Sequence, residues 1–137
     1  MKNLFAYGTL MCSDIMEDVS GVCFEGQPAV LHDYTRRCVK SEHYPGLTME
    51  KNGSVDGIIY RNIPEGVWRR LDRFEGEMYR RCPVLLKLAD GTHLEAETYV
   101  VKDEFLQHLD VGEWDFERFL KCGKNGFQQR YRGFKNL

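Results

Sequence analysis

The sequence lacks the features that would place it in a membrane, on nucleic acid or in an oxidising compartment. None of its apolar runs approaches the ~18 residues that a membrane-spanning helix needs. Its formal net charge is only −2, and its arginines form scattered pairs rather than a basic tract, so nucleic acid is not expected as a partner. The five cysteines include no CxxC pair, which argues against a zinc ribbon or a thioredoxin-type site. Reduced thiols fit a cytoplasmic protein, the location we expect.

The composition is that of a folded chain with one core. Its 137 residues, of which 42% are hydrophobic and 12% aromatic, fit a single domain over residues 1–137. Residues 103–109 and 114–121 carry helical patterns, so a C-terminal helical extension is expected over about residues 103–137. The basic, aromatic tail over residues 127–137 is expected either to pack across the domain or to be loosely ordered.

Most of the chain before this extension has the composition of β-strands separated by turns. Strands are expected over residues 2–7, 22–34 with a bend near Gly26 and Pro28, 36–39, 55–60, 79–88 and 92–101. Tight turns are expected in residues 43–47, at Asn52-Gly53 between two strands, and at Asp90-Gly91 in a hairpin. Gly57 indicates close backbone approach by a neighbour or a ligand. A short helix over residues 13–19, with Ser13 as N-cap, would face Met16 and Val19 inward. This order predicts an α+β fold with a curved, mostly antiparallel sheet or small barrel and flanking helices.

Glu75 is the strongest candidate for chemistry. Residues 64–75 are predicted to form a helix that begins at Pro64 and ends at Gly76. At about 100° per residue, Val67, Leu71 and Phe74 share an apolar stripe, and Glu75 falls inside the same arc. A carboxylate on a buried face is costly unless it is paired or protonated, and burial would raise its pKa toward the range of a general acid/base. The alternative is a structural carboxylate paired with Arg80 or Arg81.

The second candidate is the N-terminal turn, Tyr7-Gly8-Thr9-Leu10, which directly follows the first strand. Gly8 allows the backbone to turn, and successive N–H groups of such a turn can point at one anion or oxyanion. The alternative is an ordinary turn at a strand end. Tyr7, Tyr60, Tyr79 and Tyr99 stand at or near strand ends, where tyrosines are more often half-buried rim residues than catalytic groups.

The remaining nucleophiles and ligands carry less information. Cys12 follows the N-terminal turn, but a lone cysteine without a paired histidine is usually a small core residue. His32, Cys38 and His43 lack metal-ligand spacing, so no metal site is expected.

Several short stretches stand in a distinctive order: Tyr7-Gly8-Thr9-Leu10, Val55-Asp56-Gly57-Ile58-Ile59-Tyr60, Leu71-Asp72-Arg73-Phe74-Glu75-Gly76, Tyr79-Arg80, Asp90-Gly91 and Ala96-Glu97-Thr98-Tyr99-Val100. This series, over about residues 3–101, resembles the gamma-glutamylcyclotransferase-like family. The resemblance implies a small mixed barrel with a cavity at one end. It also implies that the N-terminal turn binds a small-molecule γ-glutamyl substrate through backbone amides, that Tyr99 lies near the cavity, and that Glu75 is the general acid/base.

The reaction implied by the resemblance is an intramolecular attack. The α-amine of a γ-glutamyl group attacks its own γ-carbonyl, which yields 5-oxoproline and a free amine, and no metal, cofactor or covalent intermediate is needed. A monomer or weak homodimer is expected. Two other hypotheses are a non-catalytic ligand-binding or regulatory module with the same cavity, and a structural interaction protein that uses the tail over residues 127–134.

Overall fold

The protein is built around a β-barrel, seen here in a computed structural model that describes residues 2–130. In this part of the chain, six strands form one sheet in the order β3-β1-β5-β4-β2-β6, and a further pairing of β3 with β2 closes the first five strands into a barrel. The strands are β1 (Lys2–Ala6), β2 (Gly26–Val39), β3 (Pro45–Ile63), β4 (Tyr79–Leu88), β5 (His93–Val101) and β6 (Leu109–Glu113). The expected α+β fold with a mixed barrel is confirmed.

The short first strand, β1, is the element that makes the barrel mixed. It pairs antiparallel with β3, where Ala6 faces Ile58, and parallel with β5, where Leu4 faces Glu97. The other pairings of strands are antiparallel, including the predicted hairpin of β4 and β5. β1 therefore lies between two other strands, and the chain that leaves its end emerges at the rim of the barrel.

Strands β2 and β3 form one long bent hairpin, which differs from the prediction at two turns. Asn52-Gly53 does not reverse the chain, because β2 and β3 stay paired on both sides of it and the extra residues form a bulge. The backbone N–H of Asn52 donates to the Asp33 carboxylate at 3.0 Å, and both residues have positive φ values (67° and 68°). The chain reverses instead over residues 40–44, so Pro45 begins β3 rather than standing in a turn. The bend of β2 lies at Asp33, not near Gly26 and Pro28.

The helices of the first half lie close to their predicted positions. α1 (Ser13–Ser20) has Cys12 rather than Ser13 as its N-cap, and Met16 and Val19 are buried as expected. α2 (Glu65–Glu75) begins after Pro64, which is its N-cap, and Gly76 ends it with a φ of 79°. No helix within residues 2–130 is long and apolar enough to span a membrane.

The C-terminal part of the chain was predicted only in outline. A 3-10 helix (Asp103–His108) is followed by β6, which the sequence pattern did not predict and which pairs with β2. The chain then forms the C-terminal segment, residues 116–130, which consists of α3 (Phe116–Arg118), a π-helical turn (Phe119–Gly123) and α4 (Lys124–Arg130). Residues 131–137, which include most of the predicted basic tail and half of the tail segment 127–134 that was expected as an interaction surface, lie outside the described residues.

The buried side chains form two clusters because successive residues of a strand point to opposite faces. On β1, Phe5 belongs to a cluster made mainly of strand residues, whereas Leu4 belongs to the cluster that also contains Trp68 and Leu71 of α2. The predicted close approach at Gly57 is confirmed: a Cβ atom there would lie 2.5 Å from the carbonyl oxygen of Ala6. β1 is thus packed tightly on both faces, which holds its end in place.

Candidate active site

The N-terminal turn follows directly from the end of β1. A 3-10 turn (Thr9–Met11) begins after Gly8, and a Cβ atom at Gly8 would lie 2.7 Å from Cγ of Pro45, so no larger residue fits without displacement. The first N–H groups of a helical turn have no acceptor within that turn. They are therefore available to an anionic or carbonyl oxygen that enters from outside.

Side chains from two strands hold the carbonyl groups of the N-terminal turn. The Tyr60 hydroxyl donates to the Leu10 carbonyl at 2.7 Å. Nη1 of Arg36 donates to the Tyr7 carbonyl at 2.7 Å and to the Asp56 carbonyl at 3.0 Å. Because the carbonyl groups are tied to the barrel, the orientation of the turn and of its N–H groups is restrained.

Glu75 is the last residue of α2 and is half-buried. Among residues 2–130, no basic side chain forms an ion pair with its carboxyl group. Arg81 lies instead 3.9 Å from Asp72 and 4.0 Å from Glu97, and Arg80 donates to the Cys82 sulfur at 3.0 Å. The alternative of a surface carboxylate paired with Arg80 or Arg81 is therefore wrong.

The environment of Glu75 favours its protonated form. Burial, first, and the negative charge of Asp72, second, raise the pKa of Glu75 to about 8 from an ordinary value of 4.5. Asp72 precedes Glu75 by three residues on α2, which places the two carboxyl groups on neighbouring positions of one helix face. A carboxyl group with a pKa near neutrality can both accept and release a proton at physiological pH.

Glu75 and the N-terminal turn face the same cavity. The space enclosed there, including its open mouth, is about 660 Å³. Its lining includes all six residues predicted for the site, which are Glu75, Tyr7, Gly8, Thr9, Leu10 and Tyr99. It also includes residues for which the sequence pattern suggested no site role, namely Leu4, Phe5, Ala6, Tyr44, Pro45, Phe74, Met78, Tyr79 and Phe127.

The four tyrosines are core residues, so the prediction that they are half-buried rim residues is wrong. Tyr7, Tyr60, Tyr79 and Tyr99 are each no more than 8% exposed. The hydroxyl of Tyr7 donates to the Tyr99 carbonyl at 2.6 Å, and that of Tyr79 donates to the Pro45 carbonyl at 2.7 Å. They are buried because each ring packs in the core while its hydroxyl finds a hydrogen-bond acceptor.

Tyr99 contributes its ring to the cavity while its hydroxyl donates to Oδ1 of Asp72 at 2.6 Å. Burial, followed by this hydrogen bond, raises the pKa of Tyr99 well above its ordinary value, so the hydroxyl stays protonated. Tyr99 thereby orients the carboxylate that acts on Glu75. The signal for Asp72 was present in the sequence, because it stands three residues before Glu75 on the same helix.

Other candidates lie outside the cavity. Cys12 is buried, and burial raises the pKa of its thiol to about 11, which suits a core residue and not a nucleophile. Within the described part of the chain, no group of three or more His, Cys, Asp or Glu side chains could hold a metal ion.

Comparison with known proteins gives one consistent result. Residues 4–116 match the family model described as gamma-glutamyl cyclotransferase, AIG2-like. AIG2-like protein C of Arabidopsis thaliana is 32% identical over 126 residues, covering 91% of this chain and 73% of the relative. A solution structure from Arabidopsis thaliana has a TM-score of 0.72 at 27% identity and covers 96% of this chain and 80% of that chain. A solved structure of a gamma-glutamyl cyclotransferase is 14% identical and has a TM-score of 0.68, and the match covers 99% of this chain and 86% of that chain. At this identity, the likeness supports the fold alone.

Proposed function

The chain belongs to the gamma-glutamyl cyclotransferase, AIG2-like family, and from that premise we propose that it converts a γ-glutamyl amine to 5-oxoproline and a free amine. One observation carries this proposal: a carboxyl group that forms no ion pair within residues 2–130, and whose pKa is raised to about 8, faces the same cavity as the N-terminal turn. The relatives named AIG2-like carry no substrate in their names, so the reaction of this chain is inferred from its site.

In the proposed reaction, Glu75 carries protons from the attacking nitrogen to the leaving nitrogen. The substrate arrives with an α-ammonium group, which cannot attack until it loses a proton. The positive charge of this ammonium favours the charged form of Glu75, so the pKa of the carboxyl group falls when substrate binds. The carboxylate then accepts the proton, and the freed nitrogen attacks the γ-carbonyl carbon.

The second half of the reaction restores Glu75. The tetrahedral intermediate carries negative charge on the former carbonyl oxygen, and we assign its stabilisation to the N–H groups of Gly8, Thr9 and Leu10, which line the cavity. When the intermediate collapses, the bond to the original amide nitrogen breaks and Glu75 donates its proton to that nitrogen. The second proton that the ring nitrogen must lose then passes, through the regenerated carboxylate, to the leaving amine, which departs as an ammonium ion. The products are 5-oxoproline and this ammonium ion, and no net proton is consumed. Since both reacting atoms belong to one molecule, ring closure also has a large proximity advantage.

The proposal is tested by incubating the protein with γ-glutamyl amides and measuring 5-oxoproline. Glu75→Gln keeps the shape of the side chain but cannot accept the proton, so we expect a loss of ~10²–10⁴ in rate. Glu77→Gln, an exposed carboxylate two residues beyond, is the matched control and should retain activity. Full turnover by Glu75→Gln would refute the assigned role. Binding without product in the wild-type protein, seen as a thermal shift, would favour the non-catalytic module instead.

A further inference from the structure

The lining side chains that the proposed chemistry does not use are apolar or aromatic. We refer to four of them as the aromatic wall: Tyr44, Phe74, Met78 and Phe127. Resting on the proposed function, we propose that the aromatic wall receives the leaving amine and selects γ-glutamyl derivatives of uncharged aromatic amines over those of amino acids.

Residues of the aromatic wall are close in sequence to Glu75 and to the residue that packs against the N-terminal turn. Phe74 immediately precedes Glu75, and Met78 follows it by three residues. Tyr44 immediately precedes Pro45, whose ring covers Gly8 of the N-terminal turn. In the proposed binding mode, an amide whose carbonyl carbon lies between Glu75 and the turn extends its amine substituent along these side chains.

The ring of Phe127 is fixed within the aromatic wall. It is only 3% exposed and makes edge-to-face contacts with Tyr44 at 6.4 Å, with Phe74 at 6.1 Å and with Phe119 at 5.8 Å between ring centroids. Edge-to-face pairs favour one geometry over others. The wall is thus a formed surface against which an aromatic ring can pack without first reorganising it.

The C-terminal segment holds Phe127 in this place through contacts outside the cavity. Lys124 forms an ion pair with Asp14 at 3.0 Å. Gly123 lies so close to His43 that a Cβ atom would be 2.8 Å from the imidazole Nδ1. Nε1 of Trp114, just before the segment, donates to the His43 carbonyl at 2.8 Å. These contacts hold the C-terminal segment against α1 and against the chain reversal between β2 and β3.

Charge decides which amines fit the aromatic wall. Of the cavity-lining side chains in residues 2–130, Glu75 alone bears a formal charge, and the proposed reaction uses it for the amine proton. A carboxylate or a second ammonium group on the leaving amine would lie against apolar side chains, and no other lining side chain of residues 2–130 would supply a counter-charge, which is unfavourable. An amino acid as the leaving group would bring such a carboxylate, whereas an arylalkyl amine would not.

A matched series of substrates tests the proposal on the wild-type protein. The series is γ-glutamyl-phenethylamide, γ-glutamyl-phenylalanine, which adds one carboxylate, and γ-glutamyl-ethylamide, which lacks the ring. We expect kcat/KM for the phenethylamide to exceed those of the other two by roughly 10–200-fold, the range that small apolar groups confer in a pocket. Equal or faster turnover of γ-glutamyl-phenylalanine or of the ethylamide would overturn the proposal.

Two variants of the C-terminal segment give an independent test. Phe127→Leu should reduce the phenethylamide-to-ethylamide ratio of kcat/KM by about tenfold, because the ring contact is lost. Phe116→Leu changes a phenylalanine of the same segment outside the cavity and should leave the ratio unchanged. Since the ratio compares two substrates on one protein, a partial loss of folding cancels. An unchanged ratio in Phe127→Leu, or equal effects of the two variants, would contradict the role of the wall.

Calorimetry on Glu75→Gln separates this inference from the proposed function. If no substrate yields 5-oxoproline, the proposed function fails, but the affinities of the phenethylamide and the ethylamide still report on the wall. We expect the phenethylamide to bind about tenfold or more tightly than the ethylamide. Equal affinities would overturn the inference even where turnover of some substrate supports the proposed function.

Discussion

At the scale of single residues, Glu75 combines a cost in stability with a proposed role in chemistry. Because its pKa is about 8 in the folded protein and 4.5 ordinarily, the folded state binds its proton more tightly than the unfolded state. Stability that depends on this proton is present below about pH 4.5 and is lost as the pH rises toward 8. A raised carboxyl pKa thus makes the protein less stable at alkaline pH.

Glu75→Gln should therefore stabilise the protein in a pH-dependent manner. The amide stays neutral at every pH, so the variant avoids the cost of ionising a buried group. We expect a gain on the order of 4 kcal/mol at pH 9, since each pKa unit corresponds to about 1.4 kcal/mol, and almost none at pH 4. Urea unfolding at the two pH values measures it, with the exposed Glu77→Gln as control. A gain that is the same at both pH values would contradict the raised pKa.

The residue types of the site were predictable, whereas some of their contacts were not. Glu75 was found from its register on the apolar stripe of α2, because helical periodicity is a local property. The hydroxyl of Tyr99 donating to Asp72 joins β5 to α2 across 27 positions, and no local pattern encodes such a contact. The same holds for the other buried tyrosines, whose hydroxyl groups bind carbonyls between 34 and 92 positions away.

At the scale of elements, Arg36 on β2 connects the barrel to the N-terminal turn and to the C-terminal part of the chain. Its guanidinium donates to the Tyr7 and Asp56 carbonyls and lies 5.3 Å from the ring centroid of Trp114. Burial lowers the pKa of Arg36 below its ordinary value, and the nearby Asp56, Glu113 and Asp115 oppose this shift. A planar guanidinium can serve these partners together, whereas an ammonium is a compact point charge.

Arg36→Lys should lower activity more than stability. With the carbonyl of Tyr7 less firmly held, the N–H groups of the turn would be misaligned, and we expect kcat to fall about 10–100-fold. The expected loss of stability is about 1–2 kcal/mol, in line with one or two hydrogen bonds. The matched control is Arg37→Lys, whose native side chain forms a surface ion pair with Glu50 at 3.3 Å. A kcat equal to that of the control would mean that Arg36 does not position the turn.

Elements with local signals were predicted well, and elements held by distant contacts were not. Asp90-Gly91 marks the hairpin of β4 and β5, and Pro64 and Gly76 mark the ends of α2. Asn52-Gly53 has the composition of a hairpin turn but forms a bulge because Asp33, 19 positions away, binds its backbone. β6 has five residues and is stabilised by pairing with β2, so its own sequence carries a weak strand signal.

At the scale of the whole molecule, the cavity exists because the barrel brings together parts of the chain that are far apart in sequence. The N-terminal turn, the reversal before β3, the end of α2 and the C-terminal segment each supply part of the lining. The family resemblance predicted the first and third of these. Phe127 lies 52 positions after Glu75 by number and beyond the matched residues 4–116, so neither local pattern nor family motif pointed to it.

Because Phe127 lines the cavity, its ring should help to raise the pKa of Glu75. The principal cause of the raised pKa is burial, so admitting water to the cavity should lower that pKa toward its ordinary value of 4.5. Phe127→Ala removes a buried ring that contacts Tyr44 and Phe74. In a plot of kcat/KM against pH, we therefore expect the acid limb to move to lower pH. Loss of a buried phenylalanine typically costs about 3–5 kcal/mol, so near-ultraviolet circular dichroism must first confirm a folded protein.

Leu120→Ala is the control for this change. Leu120 is an exposed apolar residue of the same segment, and its side chain does not line the cavity. Its acid limb should coincide with that of the wild-type protein. If the limb of folded Phe127→Ala also stays in place, the burial of Glu75 comes from the barrel and α2 alone. If the limb moves only in Phe127→Ala, the C-terminal segment contributes to the acid/base chemistry as well as to the walls of the cavity. A single aromatic ring would then couple the shape of the cavity to the protonation of the carboxyl group within it.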